Sequence, residues 1–364
     1  MSAKRLVAGL AAALLAIGAA ACGDDDSADN EASGGGTELK GKIAVLLPDS
    51  KSSARWETAD RRFFEAAFKA AGLSNDDYLI SNAEGDPATQ RSQAEQAVTE
   101  GAKVILLVNL DPGSGAAIID SAKAQGVTMI DYDRLTVGGN ADYYVSGDAT
   151  EAGRLQARGL IDDLKDKPGA HIAILDGAPT DSFATDLKKG YTEVLQSEGK
   201  SIDVAAEQAV PNWDSQKALT IYEQMLQAAK EPLDGTLAAN DAIANATISA
   251  RKARKLDPVP TSGLDATPEA LQHILAGEQT FTVYFSIKDQ ATKAANLALQ
   301  IARGQKPTGL TTSVDNGNRQ VPTILLKPQT IRKDNIADTV IADDFASWDD
   351  VCVGQYAKYC PEER

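Results

Sequence analysis

Short runs of aliphatic and β-branched residues alternate along this chain with longer stretches whose apolar positions recur every three or four residues. The first pattern belongs to strands buried on both faces, the second to amphipathic helices. The pattern predicts strands at 43–47, 78–81, 104–108, 127–130, 143–146, 172–175, 202–205, 236–239, 259–262, 281–285 and 321–326. Between them it predicts helices at 54–72, 87–100, 113–125, 149–165, 183–198, 214–230, 242–255, 267–276 and 287–303. In the first helix Phe63, Phe64, Ala67, Phe68 and Ala71 fall on one face. Asp86-Pro87 sets a capping side chain ahead of a first-turn proline, and Pro268 opens another helix after Thr267. Gly72, Gly101 and Gly126 each stop a helix before the next strand. No repeat of solenoid period stands out.

Continuous apolar strands separated by helices imply an α/β fold with parallel sheets covered on both faces. The strands are too many for one comfortable sheet. Two Rossmann-like lobes are expected, with a cleft between their strand ends and a first crossing near 146–148. In such folds ligands bind beyond the carboxyl ends of the strands. Polar residues concentrate there in this chain. Arg55-Trp56 follows the first strand, Asp131-Tyr132-Asp133-Arg134 the fourth, and Asp176 to Phe183 the sixth. Asn240-Asp241 and Gly263-Leu264-Asp265 close two later strands, and Trp213 precedes a helix at Asp214. Asn240, Asp241 and Asp214 read equally well as helix caps. Arg, Asp, Asn and Trp at several strand ends at once exceed what capping requires. A guanidinium beside a flat ring suits a small polyhydroxylated molecule: the ring packs on C–H faces and the fork donates to hydroxyls.

The two ends change the picture. Lys4-Arg5 precedes an apolar, small-residue run over 6–21, which reads as a secretory signal rather than a membrane span. Ala19-Ala20-Ala21 directly before Cys22 is similar to a lipoprotein processing site, the alternative being an ordinary signal cleaved nearby. Residues 24–37 are acidic, then Ser- and Gly-rich, and are expected to form a tether rather than a core. With Cys22 carrying lipid, Cys352 and Cys360 remain as an even pair. In an oxidising compartment one small-loop disulfide is expected, the alternative being two free thiols.

The formal charge is −16, with no basic patch, so nucleic acid is excluded as a partner class. His171 and His273 are the only histidines; one begins a strand and the other sits within a helix, so both read as structural. Zinc-ligand spacing, a P-loop and a nucleophile elbow are absent, and no cofactor or metal is implied. Nothing selects two carboxylates for glycosidase work.

Eight short motifs then carry a resemblance. They are Arg-Trp at 55–56, Asn-Ala-Glu-Gly-Asp-Pro-Ala-Thr-Gln at 82–90, Tyr-Asp-Arg at 132–134 and Gly-Ala-Pro-Thr-Asp at 177–181. The others are Ala-Asn-Asp-Ala at 239–242, Gly-Leu-Asp-Ala at 263–266, Ala-Gly-Glu-Gln-Thr-Phe-Thr-Val-Tyr at 276–284 and Val-Pro-Thr-Ile-Leu-Leu at 321–326. In order and spacing over residues 41–340 the chain resembles the sugar-binding lipoproteins of ABC importers, in the type I periplasmic-binding-protein superfamily, and most closely its xylose-binding branch.

The resemblance implies a non-enzymatic, monomeric receptor that binds a monosaccharide and docks on a membrane permease. A sugar sensor serving a membrane receptor or kinase is the alternative. It further implies that Arg55, Asp133 and Arg134 bond hydroxyls from the first lobe, that Asp181, Ser182, Asn240 and Asp265 do so from the second, and that Trp56 and Trp213 sandwich the ring. It implies three crossing strands. The expected division is a leader at 1–21, a tether at 22–40, a first lobe at 41–147 and 283–312, a second at 148–282 and 313–345, and a stapled tail at 346–364. Xylose binders carry Asn-Asn where Ser182-Phe183 stands, Gln at Leu264 and Lys at Phe285. If these positions line the site, the pocket exchanges polar donors for apolar surface. A deoxy sugar, another pentose or hexose, or a glycoside then fits as well.

Overall fold

The computed structural model describes residues 38–199, 202–229 and 232–362. The expected leader, Cys22 and all but the last three residues of the tether lie outside them. The tether's end is already part of the fold: Leu39 packs on the core and the Lys40 amide donates to the Ala302 carbonyl.

The first lobe is a strand–helix alternation: β1 (Lys42–Leu47), α1 (Arg61–Ala70), β2 (Tyr78–Asn82), α2 (Pro87–Thr99), β3 (Ala102–Leu107), α3 (Pro112–Lys123), β4 (Thr128–Tyr132) and β5 (Tyr143–Gly147). These five strands pair in parallel in the order β5-β4-β3-β1-β2. Burial on both faces explains their unbroken apolar character: Ile43 to Leu47 and Val104 to Leu107 are fully buried. Asp86 and Asp111 cap α2 and α3 ahead of first-turn prolines. Gly101 and Gly126 follow those helices in left-handed backbone. Phe64 of α1 meets Tyr132 of β4 edge to face at 5.0 Å between ring centroids.

After β5 the chain crosses into α4 (Ala149–Asp163), β6 (Ala170–Asp176), α5 (Ser182–Ser197), β7 (Ile202–Ala209), α6 (Ser215–Ala228), β8 (Gly235–Ala238), α7 (Asp241–Ala253), α8 (Pro268–Ala276) and β9 (Thr282–Tyr284). The second parallel sheet has the order β7-β6-β8. The strand expected at 259–262 is reduced to one bridge, Thr236 to Thr261, and Leu264 likewise bridges Val283. Pro258 and Pro260 withhold two amides from that ladder, which is why a regular strand does not form.

The chain then returns through α9 (Ile287–Ala302) to β10 (Thr312–Asp315) and β11 (Gln320–Leu326), before β12 (Gln329–Ile331) and α10 (Trp348–Val351). Here two expected boundaries are corrected. β9 pairs with β12 rather than with the first sheet, so the second crossing falls after Tyr284, not at 283. β10 and β11 form an antiparallel hairpin whose second strand adds in parallel to β5, Thr323 opposite Tyr144 and Leu326 opposite Gly147. The third crossing therefore follows Leu326, and residues 312–326 belong to the first lobe rather than the second. The cause lies in the exposed, polar β10, whose sequence shows no buried-strand pattern.

Candidate functional site

Two loops of the first lobe and four segments of the second converge where the carboxyl ends of the two sheets face each other. The loop after β1 is set by Asp49, which accepts from the Lys51 amide at 2.7 Å and the Ser52 hydroxyl at 2.8 Å. Ser52 Oγ in turn accepts from Trp56 Nε1 at 3.1 Å and from Arg134 Nη2 at 3.3 Å. One hydroxyl thus aligns the indole after β1 with the guanidinium after β4. The Arg55 guanidinium lies 4.1 Å from the Trp56 ring centroid, so one face of the indole is occupied by the protein itself.

Arg55 is buried and paired with Asp133, while its Nε sits 3.4 Å from the fully buried Asp60. Asp60 also accepts from the Tyr132 hydroxyl at 2.6 Å, and Gln290 of α9 donates to Asp133 at 3.0 Å. Burial works against the charge of Arg55, but Asp133, Asp60 and Asp265 around it more than offset this and raise its pKa. Burial pushes Asp60 up to about 7 despite Arg55, and Asp265 up to about 6.

In the second lobe, helix capping and cleft chemistry share side chains. Asp181 Oδ1 caps α5 through the Phe183 amide, and Oδ2 accepts from Trp213 Nε1 at 3.0 Å and pairs with Arg134 Nε at 2.9 Å. Asn240 Oδ1 caps α7, and its Nδ2 donates to the Ser52 carbonyl at 3.3 Å. Asp214 is a cap, bonded to the Gln216 and Lys217 amides. Asp265 accepts from the Ser53 hydroxyl at 2.9 Å. Arg134–Asp181, Ser52–Asn240 and Ser53–Asp265 cross from lobe to lobe, so the cleft stands closed.

These contacts surround a cavity of about 30 Å³. A single water needs ~10–15 Å³ by the same measure, so the lobes must part to admit a sugar ring. Arg55, Trp56, Asp133, Arg134, Asp181, Trp213, Asn240 and Asp265 all line it. Ser182 does not: its hydroxyl donates to the Leu135 carbonyl at 2.8 Å, an interlobe bond away from the cavity. The first turn of α5 instead brings Phe183 to the wall, with Leu264. Phe285 lies behind it, 6.0 Å from the Phe183 ring, and packs against Gly147.

Sequence reasoning missed Ser52 and Ser53, which carry no signal beyond their place in a strand-end loop. It also missed Asp60, which reads as one more polar residue on a helical pattern. A backbone signal marks the site instead. Asp133, Trp213 and Asp265 adopt positive φ of 66°, 55° and 105°, a conformation disfavoured for side chains with a Cβ and concentrated at functional sites. Neither histidine reaches the cavity: His171 lies near Asp203 and Asp234, and His273 bonds Glu278. Cys352 and Cys360 are joined in a disulfide, with Cα atoms 6.0 Å apart. No cluster with metal-ligand composition occurs among the described residues. The cavity offers charged donors, carboxylate acceptors, an amide and two indoles, a set that recognises a neutral polyol with apolar ring faces.

A profile described as a periplasmic binding protein domain matches residues 43–306. The D-xylose-binding periplasmic protein of Escherichia coli strain K12 is 33% identical over 307 residues, covering 84% of this chain and 90% of that protein. Its namesake from Haemophilus influenzae is 34% identical over 308 residues, with the same two coverages. A carbohydrate-transporter solute-binding protein from Chloroflexus aurantiacus, solved with D-glucose, superposes with a TM-score of 0.77 at 26% identity, covering 85% of this chain and 97% of that one.

Proposed function

This chain belongs to the periplasmic binding protein family, whose relatives and structural neighbours are solute-binding proteins rather than enzymes, and on that premise we propose its individual role. It captures one monosaccharide, a xylose-like pentose or a related sugar, in the interlobe cleft and delivers it to an ABC importer. The observation that carries this reading is the interlobe site onto which the two lobes together direct two guanidiniums, three carboxylates, an amide and two tryptophans. Arg55, Asp133, Arg134, Asp181, Asn240 and Asp265 bond the hydroxyls, and Trp56 and Trp213 pack on the ring. Each lobe alone supplies half of these groups, so the sugar selects the closed form.

The working copy is a monomer held outside the cytoplasm. Lipid on Cys22 and the tether behind it keep the receptor near its permease. No described helix is long and apolar enough to cross a membrane.

Isothermal calorimetry on Trp56→Ala and Arg134→Ala tests the site. Each substitution is expected to weaken the tightest-binding monosaccharide by about 2 kcal/mol or more, as buried aromatic and charge-assisted contacts do. Unchanged affinity in both variants would overturn the assignment.

A further inference from the structure

The turn that leads into α1 is wider than an α-helical one. Trp56–Asp60 form a π-helical turn, in which the Arg61 amide donates to the Trp56 carbonyl five residues back. Arg55, just before it, already has helical backbone at φ −56° and ψ −32°. On an α-helix, side chains three or four positions apart share a face. Here the extra residue brings Asp60, five positions after Arg55, into line with it: Asp60 Oδ2 lies 3.4 Å from Arg55 Nε. The Tyr132 hydroxyl holds the other oxygen at 2.6 Å. Asp60 is fully buried yet does not line the cavity, so it stands behind Arg55. A carboxylate buried for structure alone is saturated, as Asp131 is by the Thr136 amide and hydroxyl, both at 2.7 Å. Asp60 Oδ2 makes no hydrogen bond among the described residues and faces the Arg55 charge. Burying a carboxylate in that way is costly, and such charge clusters mark functional sites.

We propose that Asp60 is a positioning residue for ligand binding: its carboxylate, set behind Arg55 by the π-helical turn, holds the guanidinium by its Nε edge, so that Arg55 and Asp133 meet the ligand instead of sequestering each other. The proposal rests on the sugar-binding reading above and extends it. Asp133 Oδ2 accepts both from Arg55 Nη2 and from the Gln290 amide. With Asp60 ionised, Arg55 has a second counter-charge on its inner edge, and Asp133 does not neutralise it alone. With Asp60 neutral, Asp133 is the nearest counter-charge left; the pair tightens, and ligand hydroxyls must compete with it. The charged and titratable groups around Asp60 are Arg55 of its own turn, Tyr132 and Asp133 at the end of β4, and Asp265 across the cleft. α9, packed on the turn, presents the neutral Gln290 to Asp133. Burial raises Asp60 to about 7, so its charge changes near neutrality. The ionised form is the one that supports binding, so affinity is full above that value and falls as pH falls through it.

Calorimetry with the full chain tests this, using whichever of D-xylose, D-glucose and D-galactose binds the parent most tightly. Asp60→Asn keeps the shape and an acceptor for Tyr132 while removing the charge. It is expected to bind that sugar about tenfold or more weakly than the parent at about pH 8.5, and within about threefold of it at about pH 5, where the parent's own Asp60 is protonated. Lost packing would weaken binding by one factor at both pH values. Asp265, raised to about 6, titrates in the same range but acts on parent and variant alike. Tyr132→Phe removes the hydroxyl that favours the ionised form of Asp60, so its affinity should begin to fall at higher pH than the parent's. This second variant decides alone where Asp60→Asn does not fold. A parent-to-variant ratio that is the same at both pH values, equal affinities at about pH 8.5, or a Tyr132→Phe profile coincident with the parent's overturns the role of Asp60 while sugar binding stands. If no sugar binds the parent, the sugar reading fails and takes this proposal with it.

Discussion

At the residue scale the cleft works through shared atoms. Ser52 Oγ serves Trp56 and Arg134, and the Asp181 carboxylate serves a helix cap, Trp213 and Arg134. A group with several partners keeps one orientation before ligand arrives, which lowers the ordering cost of binding. Gly177 contributes by having no side chain. A Cβ there would lie 2.3 Å from Trp213 Cη2 and 2.5 Å from Cζ2, so the indole would have to move. Gly177→Ala is therefore expected to weaken sugar binding by about tenfold or more and also to lower the melting temperature, since the displaced indole is buried in the core as well as against the cavity. Calorimetry with thermal melts checks both; unaltered affinity would remove Gly177 from the site's support. The candidate side chains were legible because polar residues at strand ends stand out against apolar strands. Ser182 was expected in the site and lies outside it, because the first turn of a helix decides which of two neighbours faces inward, and here that neighbour is Phe183.

At the element scale, the regular parallel units were readable and the irregular ones were not. β1 to β6 follow from apolar runs of strand length, each ended by a turn or a cap. β11 was readable at 321–326, but its hairpin with β10 was not, because β10 is exposed and polar, and its place beside β5 was not, because β5 lies far away in sequence. The tail is a further element whose place only packing settles. α10 and the turn at Gly354–Tyr359 lie on α8, where Gln272 donates to the Asp350 carbonyl and Tyr356 meets His273 and Glu278. The Cys352–Cys360 disulfide closes this turn over a separation of eight residues. A loop of that size removes roughly 2–3 kcal/mol of chain entropy from the unfolded tail. Replacing both cysteines by serine should speed hydrogen exchange across residues 348–360 and leave sugar affinity unchanged, because the tail does not reach the cavity. Exchange that stays as slow as in the parent would show that packing on α8 alone holds the tail.

At the scale of the whole molecule, buried carboxyls set the response to pH. Burial raises Asp60 and Asp131 to about 7 and Asp241 to about 8. In the unfolded chain the same groups titrate near ~4. Between these limits the folded protein retains protons that the unfolded chain has lost, so stability falls as pH rises through the window and is greatest below it. The excess negative charge acts in the same direction, since self-repulsion grows as carboxyls ionise. Thermal melts without ligand should therefore show a lower Tm at about pH 8 than at about pH 5.5. A flat or rising Tm over that range would mean that these carboxyls are ionised in the folded protein.

The sequence by itself determined the α/β class, the parallel strand–helix units, and the set of strand-end loops from which the cavity is drawn. These follow from local physics: the period of apolar positions fixes secondary structure and burial, and capping residues and prolines fix its ends. Only the tertiary structure decided where the chain crosses between lobes, that residues 312–326 complete the first sheet, and that Ser52, Ser53, Phe183 and Leu264 join the cavity wall. Those properties depend on which distant segments become neighbours when two lobes close on each other. A side chain's partners across the cleft leave no periodic trace in its own stretch of chain.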